Sequence, residues 1–108
     1  MAEIQHINKD NFNEMVIDSK TPVLVDFFAT WCGPCKMLSP ILEQVASEMG
    51  DRVVIAKVDI DECMDLAQEY GIMSVPTMIL FKDGAEVSRN IGFRGKPQIV
   101  EMINSKLD

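Results

Sequence analysis

The sequence predicts an α/β fold in which a central mixed sheet of five strands is flanked by four helices, and three observations carry that reading. Hydrophobic periodicity switches repeatedly between the strand type and the helix type along the 108 residues. Helical stretches join most of the apolar strands, which calls for parallel pairing. At Lys82-Asp83-Gly84 the connection is instead a hairpin turn, which calls for antiparallel pairing.

Taken in order, Ile4 to Ile7 reads as a short first strand, and Asn8 is placed to cap a helix from Asn11 to Ile17 with Phe12, Met15 and Val16 on its apolar side. Thr21-Pro22 resets the chain. Val23 to Ala29, apolar except at Asp26, suits a central strand covered on both faces. Met37, Leu38, Ile41, Leu42, Val45 and Met49 form the one-sided stripe of an amphipathic helix of about four turns, which Gly50 ends. Pro40 lies inside it, removes a backbone hydrogen bond and predicts a bend. Val53 to Val58 predicts a third strand, Asp65 to Tyr70 a short helix closed by Gly71, and Met78 to Phe81 a fourth strand. Asp83-Gly84 tolerates the positive φ of a hairpin turn, after which Glu86 to Ile91 runs back. Gly92 ends that strand. Gly95 to Pro97 opens the last helix, where an early proline costs little, and Ile99, Met102, Ile103 and Leu107 supply its apolar face.

The bulk properties bound the function. Residues 1–108 suit one domain, with no repeat or linker. The 47% apolar and 25% charged content matches globular averages of about 45–50% and about 25%. A net charge of −7 disfavours nucleic acid, which needs a basic surface, and leaves protein partners open. MAEIQHINKD lacks the basic and apolar regions of a secretory signal, and no apolar run approaches a membrane span of ~18 residues, so the expected location is the cytoplasm. Three cysteines are too few and too odd for a structural framework. In a reducing compartment a close pair is catalytic or metal-binding.

That pair lies in Trp31-Cys32-Gly33-Pro34-Cys35, at the end of a buried strand and the start of a helix. Cys32 is expected at or just before the first turn, and Cys35 within it. A helix N-terminus offers free N–H groups and about half a positive charge, worth about 0.3–1 kcal/mol to an anion and up to ~2 in sheltered geometry. It therefore favours the thiolate, the attacking species. Gly33 is read as allowing a tight turn, and Pro34 as fixing φ where no N–H is needed. The alternatives are half of a zinc site and two unrelated structural thiols. Zinc needs about four ligands, and only His6, Cys63 and carboxylates remain to complete it.

Val25-Asp26-Phe27, Ala29 to Met37, Pro40, Ala56-Lys57-Val58-Asp59, Tyr70-Gly71-Ile72, Val75-Pro76-Thr77, Phe81 to Gly84 and Gly92 together resemble the thioredoxin family, in the family's order and over nearly the whole chain. WCGPC followed some 40 residues later by Val-Pro-Thr is a highly specific combination. The resemblance implies the thioredoxin fold and a general protein disulfide reductase with no permanently bound cofactor. It also implies disulfide-containing protein substrates and a flavin- and NADPH-dependent reductase that resets the enzyme, which is expected to be a monomer.

Within that frame Asp26, set among Val23, Leu24, Val25, Phe27 and Phe28, is costly to bury charged, so its pKa should be raised. The family reading makes it the base for Cys35, and Lys57 on the next strand is its candidate partner. A structurally paired aspartate and a merely solvated lysine are the bland alternatives. Pro76 stands before an apolar strand, an awkward place unless its backbone serves something local. The family implies a cis Val75–Pro76 bond against the dithiol, and a rim for partners made by Trp31, Ile60, Gly71, Ile72, Met73, Ser74, Val75, Gly92 and Phe93. Methionines, among them Met37 and Met73, read as core filler. Phe28 stands where the family often has tryptophan, and Phe93 where it has a small residue. Cys63, in DECMD, reads as inert, its alternatives being oxidative modification or dimer formation. Two rival functions remain. An oxidant or isomerase on the same fold is disfavoured by Gly-Pro between the cysteines, where such relatives usually carry a histidine; the other rival is a redox-independent binding module.

Overall fold

A computed structural model describes residues 4–107. Its centre is β2 (Val23–Phe28), hydrogen-bonded in parallel to β3 (Val54–Asp59) and antiparallel to β4 (Thr77–Lys82). β1 (Gln5–His6) lies outside β3, and β5 (Ala85–Ile91) outside β4, giving the order β1-β3-β2-β4-β5. Three α-helices, α1 (Gly33–Met49), α2 (Met64–Glu69) and α3 (Lys96–Leu107), join a five-residue wide helical turn at Asn13–Ile17 in covering the sheet. The expected mixed five-stranded architecture is the one observed.

Strand β2 organises two cores by simple alternation. Val23, Val25 and Phe27 face a cluster with Phe12, Val16, Leu66 and Phe81, beneath the first helical turn and α2. Leu24 faces the opposite cluster, where Leu38, Leu42 and Val45 of α1 meet Ile99 and Ile103 of α3. Val23, Leu24, Val25 and Phe27 are fully buried, as expected of a strand covered on both sides.

Local differences have local causes. The first strand is only two residues long, although the Ile7 N–H still donates to the Lys57 carbonyl at 2.9 Å. Asn8 caps a turn just before the helical segment: its Oδ1 accepts from the N–H groups of Asp10 (2.9 Å) and Asn11 (3.2 Å), while Asn11 Oδ1 accepts from Asn8 N–H at 2.8 Å. The segment itself is closed by the wide bond from Asp18 N–H to the Asn13 carbonyl, 2.8 Å. α1 continues through Pro40 to Met49 and is closed at Gly50, whose φ is 58°.

The larger departure is the direction of β4, which a helix connects to β3 yet which runs antiparallel to β2. A six-residue helix such as α2 rises only about 9 Å, whereas a six-residue strand spans about 20 Å. The chain therefore does not return to the far end of the sheet. It enters β4 beside the end of β2, with Thr77 opposite Phe27, and runs back from there.

Candidate active site

The end of β2 leads through Ala29, Thr30 and Trp31 into the start of α1, where Cys32 is the N-cap residue with extended backbone (φ −89°, ψ 112°). Its Sγ takes the place a serine or aspartate oxygen usually fills, accepting the Cys35 N–H at 3.2 Å. Cys35 follows one turn later. The two Cα atoms are 5.3 Å apart and the sulfurs are joined as a disulfide. Pro34 sits in the first turn, where its missing N–H leaves nothing unpaired. Gly33 corrects an expectation: its φ is not positive and a Cβ there would meet nothing within 4 Å, so the turn does not require glycine.

The proline loop closes over the sulfurs. Val75–Pro76 is cis, and the Val75 carbonyl oxygen lies 3.7 Å from Cys32 Sγ. Ala29, Cys32 and Cys35 form a small buried cluster with Phe28, Ile60 and Val75 packed against it. The loop is braced from both sides: Thr77 Oγ1 donates to the Ser74 carbonyl at 2.8 Å, and Gly92 N–H donates to the Pro76 carbonyl at 2.8 Å. Gly92 has φ 96°, a conformation that favours glycine.

Around this cluster the surface is apolar and open. Trp31 is 68% exposed and Met73 97% exposed. Met37 is 63% exposed, so the reading of Met37 and Met73 as core filler is wrong: α1 turns Leu38 and Leu42 inward, which places Met37 outside, and Met73 stands on the loop before Pro76. Gly71, Ser74 and Phe93 are exposed and Gly92 is half-buried, whereas Ile72 packs against the core cluster under α2. The sulfurs themselves are sheltered, Cys32 retaining 4% of its surface and Cys35 2%. Only a narrow approach reaches Cys32.

Asp26 lies on the same face of β2 as Leu24 and Phe28, fully buried, with neither carboxylate oxygen hydrogen-bonded among the described residues. Burial pushes its carboxyl up to about 7, against a smaller opposing pull from the Lys57 charge. Lys57 is its register partner on β3, but the ammonium points elsewhere: Nζ donates to Ser39 Oγ at 2.8 Å and sits 4.3 Å from the centre of the Phe28 ring. His6, in register with Lys57 on β1, meets the same ring edge-on. A cleft of about 250 Å³ is lined by Phe28, Ala29, Thr30, Cys35, Lys36, Ser39 and Lys57.

Three contributors were not singled out from the sequence. Asp61 Oδ2 accepts from Trp31 Nε1 at 2.8 Å and fixes the indole on the rim. Asn90 Nδ2 donates to the Gly92 carbonyl at 3.0 Å, steadying the far wall. Ser39 joins Lys57 to the helix bearing the cysteines; its spacing, four residues after Cys35, was the available signal. Cys63 lies away from this site, buried at the start of α2 with Sγ 4.0 Å from the Ile7 carbonyl oxygen, and burial pushes its thiol up.

Two sulfurs held at bonding distance on a helix N-terminus have one evident chemistry, the exchange of an electron pair with another disulfide, and the class so defined is the thiol–disulfide oxidoreductases. Known proteins agree. The family model described as Thioredoxin matches residues 3–105. A thioredoxin of Mycolicibacterium smegmatis is 47% identical over 103 residues, covering 94% of this chain and 92% of that protein. One of Haemophilus influenzae is 38% identical over 107 residues, covering 99% and 100%. A bifunctional thioredoxin reductase/thioredoxin of Mycobacterium leprae is 49% identical over 85 residues, covering 79% of this chain but 19% of that protein. This chain belongs to the thioredoxin family and is a thiol–disulfide oxidoreductase.

Proposed function

We propose that the chain is a general protein disulfide reductase acting as a single domain and a monomer in the cytoplasm. The observation that carries this reading is the capping position of Cys32, where a sulfur anion gains a helix N–H and the positive end of α1. In the reduced enzyme the Cys32 thiolate attacks one sulfur of a substrate disulfide. A bond forms between Cys32 and that sulfur, the substrate bond breaks, and its second sulfur leaves as a thiolate that takes up a proton. Cys35 then attacks Cys32 Sγ, the internal disulfide forms, and the first substrate sulfur is released. The substrate gains two electrons and two protons, and the enzyme leaves oxidised.

Cys35 must lose its proton to attack. Asp26 is the acceptor in this scheme, since a carboxyl with a pKa of about 7 matches working pH, and the cleft beside Cys35 admits the water that relays the proton. Lys57 moderates the charge that results. The Val75 carbonyl beside Cys32 Sγ, with the Ser74 and Pro76 backbone, offers an edge for an extended substrate chain, while Trp31, Ile60, Gly71, Ile72, Met73, Gly92 and Phe93 supply apolar contact and Gly33 and Pro34 leave the approach clear. Resetting the oxidised enzyme requires a two-electron donor. The relative that unites a thioredoxin reductase and a thioredoxin in one protein supports a dedicated reductase, probing the same rim, as that donor. Cys63 has no step in this cycle.

Trapping tests the scheme. A Cys35→Ser variant should accumulate substrate proteins as mixed disulfides on Cys32 that dithiothreitol releases and mass spectrometry identifies. Capture on Cys63, or none, sinks the proposal.

A further inference from the structure

Lys57 and Asp26 stand opposite one another in the sheet register, the placement from which an ion pair is expected. No such pair exists among the described residues: the carboxylate oxygens have no partner, and the ammonium is engaged by Ser39 and the Phe28 ring. The Ser39 hydroxyl is used in both directions. Its oxygen accepts from Lys57 Nζ at 2.8 Å, and its hydrogen goes to the Cys35 carbonyl, 3.3 Å away and one helical turn back. Lysine is a flexible point charge, and its position within a half-buried site depends on which acceptor holds it.

From this geometry we infer that Ser39 is a positioning residue, which holds the Lys57 ammonium toward α1 and so lets Asp26 keep its proton more tightly than a free lysine would allow. The inference deepens the proposed mechanism and rests on it for its catalytic meaning. The groups facing this site are few. α1 contributes Cys35 and, at the mouth of the cleft, Lys36. β3 contributes Lys57, and β1 contributes His6 against the far edge of Phe28. On the other flank β4 sets the uncharged Met78 opposite Asp26. Of these, Lys57 is the charge that acts on the Asp26 carboxyl, opposing the effect of burial. Without Ser39 the ammonium is free to turn toward that carboxyl, its register partner, whose oxygens have no hydrogen-bond partner among the described residues. Bringing the ammonium close favours the charged form, and an opposite charge within about 4–6 Å lowers a carboxyl by roughly 1–3 pH units.

The test is direct titration of the Asp26 carboxyl carbon by NMR in the disulfide form, the resonance being identified by its loss in Asp26→Asn. Ser39→Ala should lower the midpoint by roughly one pH unit. Ser39→Thr, which keeps the hydroxyl, should leave it in place. Lys57→Met should raise the midpoint, and adding Ser39→Ala to that background should change nothing further, because Ser39 acts through the lysine. A midpoint that stays or rises in Ser39→Ala, or a fall of equal size without Lys57, overturns the inference. An ordinary carboxylate midpoint in the unaltered protein would instead remove Asp26 from the mechanism, while the differences among variants still decide the role of Ser39.

Discussion

Asp26 is the residue at which burial acts against stability as pH rises. Its ordinary pKa is 3.8 and burial raises it to about 7 in the folded protein. Between those values the folded state holds a proton that the unfolded chain has already released. The resulting stabilisation is complete below pH 3.8 and is lost as pH rises through 7. A difference of about three pH units corresponds to a loss on the order of 4 kcal/mol. Asp26→Asn cannot titrate, so urea denaturation at pH 4 and at pH 8 should show the unaltered protein losing several kcal/mol that the variant does not lose. Equal pH dependence in both would mean that the carboxyl is not held protonated. The cysteines and this aspartate were legible in the sequence because each breaks the composition around it, two thiols at a helix start and one charge in an apolar strand. Ser39, Asp61 and Asn90 were not. They are ordinary polar residues whose importance arises only when Lys57, Trp31 and Gly92 arrive from elsewhere in the chain.

At the scale of elements, the hairpin between β4 and β5 shows a local signal that fixed its structure. Asp83 and Gly84 both adopt positive φ, 54° and 80°, as the sequence pair predicts. Gly84 is constrained twice, since a Cβ there would also lie 2.8 Å from the Ile17 carbonyl oxygen. Gly84→Ala should therefore cost about 1–3 kcal/mol in chemical denaturation, whereas Gly33→Ala, with open space and no positive φ, should change stability by less than about 0.5 kcal/mol. Equal costs at the two positions would refute this account. Turn chemistry and amphipathic stripes revealed nearly every element to within a residue or two. The direction of β4 escaped because it depends on the length of α2 against the length of a strand, a comparison between elements that no single window contains. The exposure of Met37 and Met73 escaped for the same reason: what covers a methionine is decided by distant segments.

Across the whole molecule, the parts of the site come from segments far apart in sequence but gathered where β2 and β3 end and β4 begins. The cysteines follow β2, Ile60 follows β3, Pro76 precedes β4 and Gly92 follows β5. Two cores, one on each face of the sheet, hold these ends in register. The borders of the sheet are arranged differently from its active end. β1 is just two residues long, and β5 carries an irregularity in its pairing beside Leu80 and Phe81 together with the Glu86–Arg89 ion pair at 2.8 Å. Short or charged, bulged borders give a neighbouring copy little to zip onto. A crowded solution of this protein should thus remain dispersed, with light scattering flat as concentration rises, while replacing Glu86 and Arg89 together by valine should seed fibres. A molecule with edges built this way can be stockpiled without gelling.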